Sequence, residues 1–351
     1  MNRVLRLASV LTATAALTAG ATGYAAAAYA GVPVHRVAGP DRIATAVAAS
    51  KLVWSDAGDD SGDPASAVVL SRYDQYADAL GGSALAGAAG GPLLLTRPGA
   101  VDSATLTEIR RLLDGTGTVY LLGGTGAISA GVEQRLQDEG YSVRRLSGPD
   151  RYATSVKVSK EVAALGGARH PQFIFATTGR NFPDGLAAGA TAGGYGASVV
   201  LTKDGVLPTA VKSYLDAERT AGTDIYAIGG ASAGAAFPWT MSIVGRDRYE
   251  TAADIAHLFW GDPDSPDDDP TWVALATGEN WPDALAGGAL VAAVGPLMLT
   301  RATSLPATTK DTTKALVESA TPPTVEVGAV LGGKSVVSDK VKAAFTTAIN
   351  P

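Results

Sequence analysis

The chain has 351 residues, 46% hydrophobic and 18% charged, a balance typical of a globular protein rather than a disordered one. It contains no cysteine, which excludes disulfides, thiolate metal sites and cysteine nucleophiles. The formal net charge of −6 argues against nonspecific binding to nucleic acid, because such binding requires a basic face.

The first thirty residues have the pattern of a secretory signal peptide. Arg3 and Arg6 form a positive start, an apolar stretch follows over residues 7–17, and a small-x-small cleavage pattern ends at Ala30. We expect cleavage near Ala30 and secretion of the remainder. An uncleaved membrane anchor is the alternative, although the stretch is short for a span. No later apolar run is long enough to cross a membrane.

The chain then alternates short apolar strands with helices, and its first third sets the pattern. We predict strands at 36–38, 67–70, 93–95, 119–122 and 142–146. We predict helices at about 42–54, 78–89, 102–113 and 129–139. Asp41 suits the N-cap of the first helix, and the second is rich in Gly and Ala, which permit close approach to a neighbouring backbone. Continuously apolar strands between helices indicate an α/β unit with a parallel sheet covered on both faces.

Four landmarks recur three times in one order. A Gly-x-Asp-Arg phrase begins at Gly39, Gly148 and Gly245, which are 109 and 97 residues apart. The later landmarks are a second aspartate, an apolar run ending in threonine, and a double glycine: Asp78, Asp184, Asp283; Thr96, Thr202, Thr300; and Gly123-Gly124, Gly229-Gly230, Gly332-Gly333. The spacing fits a small domain rather than a solenoid repeat. We therefore predict three like units, 31–144, 145–241 and 242–351, packed as a pseudo-threefold ring.

The Asp-Arg step supports two interpretations. Arg42, Arg151 and Arg248, each placed by a helix start, could present forked donors to phosphate, carboxylate or pyruvyl groups. Each arginine could instead pair with an aspartate of its own or a neighbouring unit, which is the commoner use of such a pair. The sequence leaves both interpretations open.

The second aspartate also has two interpretations. Asn181 and Asn280 precede Asp184 and Asp283 in the phrase Asn-aromatic-Pro-Asp. The asparagine could cap a helix, with proline in the first turn and aspartate favoured by the positive helix end. The asparagine, aromatic ring and aspartate could also form a sugar-binding lip. The first unit departs from the phrase, because Gln-Tyr-Ala precedes Asp78.

Three weaker patterns point to other chemistry. Residues 230–234 match the Gly-x-Ser-x-Gly nucleophile elbow around Ser232, but the sister units do not repeat it and only His257 follows as a base. The double glycines could cradle phosphate, although none completes a nucleotide-binding motif. The acidic loops at 56–63 and 262–269 could collect calcium but lack EF-hand spacing. We predict no cofactor and no metal.

The signal peptide, the three units, and the phrases Gly-x-Asp-Arg-x-x-Thr-Ala, Pro-Asp-Ala-Leu-Ala, Pro-Leu-Leu-Leu-Thr and Leu-Gly-Gly together resemble the cell wall-binding repeat 2 family over residues 36–345. The resemblance implies three Rossmann-like or Toprim-like parallel-sheet units packed as a pseudo-threefold trimer within a monomer. It also implies secretion and noncatalytic, noncovalent attachment to the cell wall through an anionic polysaccharide or teichoic-type polymer. The ligand-binding residues expected on this basis are Arg42, Arg151, Arg248, Asp78, Asp184, Asp283, Asn181, Asn280, Thr96, Thr202 and Thr300.

Two departures from the repeat put an equal contribution from every unit in doubt. Arg246 stands where the other units have proline, and Ala197-Ser198 stands where they have Gly-Pro. Two alternative functions also remain open. One is a wall-associated hydrolase or a nucleotide-using enzyme on a Rossmann-like unit, which would need Ser232 beside a histidine and a carboxylate. The other is a surface scaffold, which a stoichiometric protein partner would indicate.

Overall fold

A computed structural model of the chain describes residues 31–59, 62–261, 269–319 and 323–351. The predicted signal peptide, residues 1–30, lies outside them. The strands are β1 (Val34–Val37), β2 (Ala67–Arg72), β3 (Leu93–Thr96), β4 (Thr118–Leu122), β5 (Ser142–Leu146), β6 (Phe173–Thr178), β7 (Ser198–Thr202), β8 (Asp224–Ile228), β9 (Met241–Ile243), β10 (Trp272–Thr277), β11 (Leu297–Thr300) and β12 (Val327–Leu331).

The helices alternate with these strands along the chain. They are α1 (Arg42–Val53), α2 (Gly82–Ala89), α3 (Ser103–Leu113), α4 (Ala130–Asp138), α5 (Arg151–Leu165), α6 (Pro183–Gly194), α7 (Thr209–Thr220), α8 (Gly230–Ala233), α9 (Arg248–Trp260), α10 (Pro282–Val291), α11 (Ala307–Glu318) and α12 (Asp339–Ile349). Among the described residues, no helix is both long and apolar enough to span a bilayer.

The strands form three four-stranded sheets in which all neighbours are parallel. Their orders are β3-β2-β4-β5, β7-β6-β8-β9 and β1-β12-β10-β11, which we assign to units 1, 2 and 3. The inner strands are buried on both faces, because adjacent residues that point to opposite faces are each 0% exposed: Val68 and Val69, Ile174 and Phe175, and Val273 and Ala274. The predicted α/β architecture with parallel sheets is confirmed.

The last strand of each sheet comes from the segment directly before the next Gly-x-Asp-Arg phrase. β5 completes the sheet of unit 1, β9 that of unit 2, and the N-terminal β1 pairs with β12 in unit 3. The unit boundary predicted between residues 144 and 145 therefore lies inside β5, and β1 lies in the third sheet rather than the first. The turn at each phrase carries the chain from the sheet of one unit to the first helix of the next.

The helices that follow these turns join neighbouring units. α1, α5 and α9 pack on the edge strands β3, β7 and β11 of their own units. The same helices pack on α10, α2 and α6 of the preceding units, so that unit 1 contacts unit 2, unit 2 contacts unit 3, and unit 3 contacts unit 1. This heterologous arrangement closes on itself, which confirms the predicted pseudo-threefold packing.

The Gly- and Ala-rich helices α2, α6 and α10 pack against one another along the pseudo-threefold axis. Side chains at two glycines would collide with backbone: an added Cβ would lie 2.6 Å from the Gly193 carbonyl oxygen at Gly87 and 3.0 Å from the Ser83 carbonyl oxygen at Gly193. The Ser83 hydroxyl also donates a hydrogen bond of 3.1 Å to the Leu285 carbonyl of unit 3. The predicted close approach of small-residue helices is confirmed, and the axis depends on it.

The two ends of the described chain meet at Asn350. Its Oδ1 accepts a hydrogen bond of 2.6 Å from the Val32 N–H, and its Nδ2 donates to the Val32 carbonyl at 3.1 Å. These bonds fix the position of Val32, which lies just before β1. We expect Asn350→Ala to destabilise the protein by about 1–3 kcal/mol and to accelerate amide exchange in residues 34–37 more than in β2. Unchanged exchange in β1 would show that strand pairing alone holds it.

Candidate functional site

The Gly-x-Asp-Arg phrase folds alike in all three units. Asp41, Asp150 and Asp247 are the N-cap residues of α1, α5 and α9, and their Oδ1 atoms accept hydrogen bonds of 2.8–3.1 Å from backbone N–H groups two or three residues on. The cap predicted at Asp41 is confirmed, and the same cap recurs at Asp150 and Asp247. The three caps fix the direction in which the next residue, the arginine, leaves the helix start.

The three arginines are half-buried and anchored in the same way. Nη1 of Arg42, Arg151 and Arg248 donates to the carbonyl of the residue that follows β2, β6 and β10, at 2.9 Å for Tyr73 and 2.7 Å for Gly179. In the described part of the chain their Nε and Nη2 atoms have no hydrogen-bond partner, and no carboxylate lies within 4.0 Å of them. A dedicated ion pair therefore does not account for these arginines, and each keeps free forked donors.

Each arginine lies beside the second aspartate of the preceding unit. Asp78 lies near Arg151, Asp184 near Arg248 and Asp283 near Arg42, each close enough for the positive charge to oppose the effect of burial on the aspartate pKa. We name these places the 1–2, 2–3 and 3–1 junctions. The structure thus brings together six of the predicted site residues in three equivalent pairs.

Burial dominates the electrostatics of these carboxyl groups. It raises the pKa of Asp78 and Asp283, where the nearby arginine and the hydroxyls of Thr154 and Thr45 offset part of the effect. It raises the pKa of Asp184 to about 6, where Arg248 alone opposes it. Desolvation disfavours the charged carboxylate, so these groups become protonated at a higher pH than exposed aspartates would.

The first glycine of each double glycine lies against the carboxyl group of the second aspartate in its own unit. Gly123, Gly229 and Gly332 have φ of 97°, 79° and 100°, a region that favours glycine. An added Cβ at these positions would lie 2.6, 2.0 and 2.6 Å from Oδ2 of the neighbouring aspartate. The glycines are therefore required by the turn and also by the room that the aspartate needs.

Asn181 and Asn280 are exposed beside the junctions but do not cap helices. Each Oδ1 accepts a hydrogen bond of 3.0 Å from the next residue's N–H. The helices begin at Pro183 and Pro282, and the N-cap residues before them make no side-chain cap. The interpretation of the asparagines as caps is wrong because the proline already fixes the first turn, whereas the predicted positions of proline and aspartate are confirmed.

The aromatic residues of this phrase pack together at the axis. The Tyr76 ring contacts the rings of Phe182 and Trp281 edge to face, with centroid distances of 5.5 and 6.3 Å. Trp281 is 7% exposed, and the guanidinium carbon of Arg42 lies 5.7 Å from the centroid of its ring. The Trp281 ring therefore supports an arginine instead of offering a face to a sugar, which argues against the sugar-binding lip in unit 3.

The three predicted threonines do not reach the junctions through their side chains. Thr96, Thr202 and Thr300 are 0% exposed, and their hydroxyls bond within the loops that follow β3, β7 and β11 or to Ser232. Their carbonyls accept hydrogen bonds of 2.8–2.9 Å from the residues whose own carbonyls anchor the three arginines. The direct ligand-binding role expected for them is not supported, because a polar residue at a buried strand end serves the loop.

The nucleophile-elbow match does not place a reactive serine at the surface. Ser232 is 0% exposed, and its hydroxyl accepts a hydrogen bond of 3.2 Å from the Thr202 hydroxyl. His257 is exposed on α9. Among the described residues, no group of three or more His, Asp or Glu side chains could hold a metal ion. The acidic loop at 262–269 lies almost entirely outside those residues.

Arg36 and Arg145 also belong to the junctions, although no phrase of the repeat singles them out. Their Nη1 atoms donate to the Gly332 and Gly123 carbonyls at 2.8 and 2.9 Å. Both stand three residues before the glycine of a Gly-x-Asp-Arg phrase, which is the signal in the sequence that could have identified them. Ser242 takes this place at the 2–3 junction.

The raised pKa of Asp184 predicts a pH-dependent cost to stability. A carboxyl group with a higher pKa in the folded than in the unfolded state favours folding less as pH rises from about 4 to about 6. Asp184→Asn removes this charge, so we expect it to stabilise the protein by up to about 3 kcal/mol at pH 7.5 and by little at pH 4. Denaturant unfolding at both pH values measures the difference. A gain that is the same at both would assign it to packing.

A family model described as cell wall binding domain 2 matches the chain three times, at residues 36–133, 145–234 and 242–342. The N-acetylmuramoyl-L-alanine amidase LytC of Bacillus subtilis is 27% identical over 262 residues, covering 74% of this chain and 48% of LytC. The amidase enhancer of the same organism is 31% identical over 173 residues, covering 49% of this chain and 22% of that protein. The chain therefore spans about half the length of these relatives, or less.

Two solved structures share the fold. Cwp6 from Clostridium difficile superposes with a TM-score of 0.72 at 22% identity, covering 92% of this chain and 48% of Cwp6. Cwp8 from the same organism superposes with a TM-score of 0.73 at 21% identity, covering 90% of this chain and 52% of Cwp8. At this identity the likeness shows the three-unit fold alone.

Proposed function

Because the chain belongs to the cell wall binding domain 2 family, we propose that it is a secreted, noncatalytic protein that attaches to the cell wall. Attachment is noncovalent and occurs through an anionic polysaccharide or a teichoic-type polymer bound at the three junctions. The protein acts as a monomer, because its three units close the ring within one chain.

The observation that carries this proposal is the state of the three junction arginines. Each is held in place through one nitrogen and keeps free donors on the others, beside a carboxyl group whose pKa is raised by burial. A planar guanidinium with two free donors suits bidentate recognition of phosphate or carboxylate. The free donors of these arginines offer local contacts to an anionic ligand on a chain whose net charge is −6.

A repeating polymer suits three such sites better than a small ligand does. A chain bound at one junction presents its next anionic groups to the other junctions at high effective concentration. Three weak contacts then give firm attachment without any new contact. The ring thus explains why one module is repeated three times.

The proposal is tested by sedimentation of the protein with purified cell walls, before and after extraction of the secondary polymers. We expect binding to intact walls, loss of binding to extracted walls, and weakening with added salt, because phosphate or carboxylate contacts release counterions. Undiminished binding to extracted walls would contradict polymer recognition. Binding that does not respond to salt would contradict the role of the arginines.

A further inference from the structure

The 2–3 junction differs from the other two in how its double glycine is held. At the 1–2 and 3–1 junctions, Arg145 and Arg36 donate to the first glycine's carbonyl and occupy the space beside it. The corresponding residue at the 2–3 junction is Ser242, which is exposed and too short to fill that space. A cleft of about 310 Å³ lies at this junction, lined by residues that include Asp184, Arg246 and Arg248.

The rim of this cleft carries a second guanidinium. Arg246 replaces the proline found in units 1 and 2, and its side chain is 88% exposed. Its backbone N–H, which a proline would lack, donates a hydrogen bond to the Glu250 carboxylate, and its Nε lies 2.8 Å from Glu250 Oε2. The two terminal nitrogens of Arg246 have no hydrogen-bond partner in the part of the chain that the structure describes. They remain available to a ligand in the cleft.

The carboxyl group of this cleft has the most strongly raised pKa of the three second aspartates. The hydroxyls of Thr154 and Thr45 lower the pKa of Asp78 and Asp283, whereas Arg248 is the only side chain among the described residues that opposes the effect of burial on the pKa of Asp184. The described residues make no hydrogen bond of ordinary geometry to the Asp184 oxygens, nor to those of Asp78 and Asp283. Asp184 is half-buried and borders the cleft, so its oxygens can accept a hydrogen bond from a ligand hydroxyl at this point.

We propose, resting on the proposed function, that the 2–3 cleft is the principal binding site of the ring and takes a hydroxyl-bearing anionic sugar unit. Arg246 and Arg248 bind the phosphate or carboxylate of that unit. Asp184 accepts a hydrogen bond from a sugar hydroxyl beside it. The 1–2 and 3–1 junctions then hold neighbouring parts of the polymer more weakly.

Single substitutions in the wall-binding assay test which junction dominates. We expect Arg248→Ala to weaken binding by at least about tenfold, and Arg42→Ala and Arg151→Ala by no more than about threefold each. Arg246→Pro restores the residue of the other units at an exposed position and is expected to cost about three- to tenfold. Because Arg248 also anchors the Gly278 carbonyl, Arg246→Pro remains informative even if Arg248→Ala is unstable.

Small competitors test the chemistry of the ligand. We expect glucose 6-phosphate or glucuronate to displace the protein from walls at lower concentration than sulfate or glucose, and the more effective of the two identifies the anion. Asp184→Ala should abolish the advantage over sulfate, whereas Asp78→Ala and Asp283→Ala should preserve it. Equal losses from the three arginine variants, or no effect of Asp184→Ala, would overturn this inference and leave the proposed function intact. No loss from any arginine variant would count against the proposed function itself.

Discussion

Replacing Arg42, Arg151 and Arg248 together by alanine is expected to weaken binding to cell walls by at least about 100-fold. Each guanidinium offers charge-assisted hydrogen bonds to an anion, and such bonds contribute about 1.5–3 kcal/mol each. Even with strong non-additivity, three losses should exceed about 3 kcal/mol, which corresponds to about two orders of magnitude in affinity. Sedimentation with purified walls over a range of protein concentrations measures the change.

The matched control removes the same charge elsewhere. Arg110, Arg135 and Arg219 are exposed residues on α3, α4 and α7, and none belongs to a junction. Their triple alanine variant should bind walls within about threefold of the wild type, because it shares the change in net charge but keeps the junctions. Equal weakening by both triple variants would mean that overall charge, not the junctions, governs attachment.

The largest effect on stability is expected at the pseudo-threefold axis. Gly193→Ala would place a Cβ 2.6 Å from the Ala292 Cβ and 3.0 Å from the Ser83 carbonyl oxygen, so helices of three units must move apart. Overpacking of this kind costs about 1–3 kcal/mol and outweighs the gain of up to about 1 kcal/mol that alanine brings to a helix. We expect net destabilisation by about 2 kcal/mol in denaturant unfolding.

Gly131→Ala makes the same chemical change without the collision. Gly131 is exposed on α4, and the nearest atom to an added Cβ is the Ser129 Oγ at 3.6 Å. We expect this variant to be as stable as the wild type or more stable by up to about 1 kcal/mol. If Gly193→Ala behaved like Gly131→Ala, close packing of the three helices could not be what closes the ring.

Local features of the fold were predictable because adjacent residues determine them. The aspartate caps, the apolar strands and the Gly- and Ala-rich helices follow from short-range preferences, and most predicted bounds agree with the structure within about two residues. The start of α2 is an exception. It begins at Gly82, four residues after Asp78, because unit 1 has alanine where Pro183 and Pro282 fix the first turn of α6 and α10.

The exchange of strands between units was not predictable from the repeat. β1 and β5 have equivalent places in their phrases, and nothing in either segment states which sheet it enters. The choice is made by a distant partner: Val34 pairs with Gly328, near the other end of the chain. A repeat boundary drawn from sequence marks where the pattern restarts, and the sheets need not end there.

The candidate site was predicted in part, for a related reason. The arginines and second aspartates of neighbouring units meet, but the threonines turn inward and the Tyr76–Trp281 rings pack at the axis. A motif indicates that a residue matters without stating whether it faces solvent. The difference between Ser242 and its counterparts Arg36 and Arg145 became meaningful only when the structure showed what those arginines hold.

Hydrogen exchange of the protein with and without purified wall polymer locates the bound surface and so decides whether polymer binds at the junctions. We expect saturating polymer to slow exchange in the loops and helix starts at 39–45, 148–154 and 245–251, with the largest effect in the third. Slowed exchange confined to other surfaces, while those three segments stay unchanged in a saturated complex, would contradict binding at the junctions.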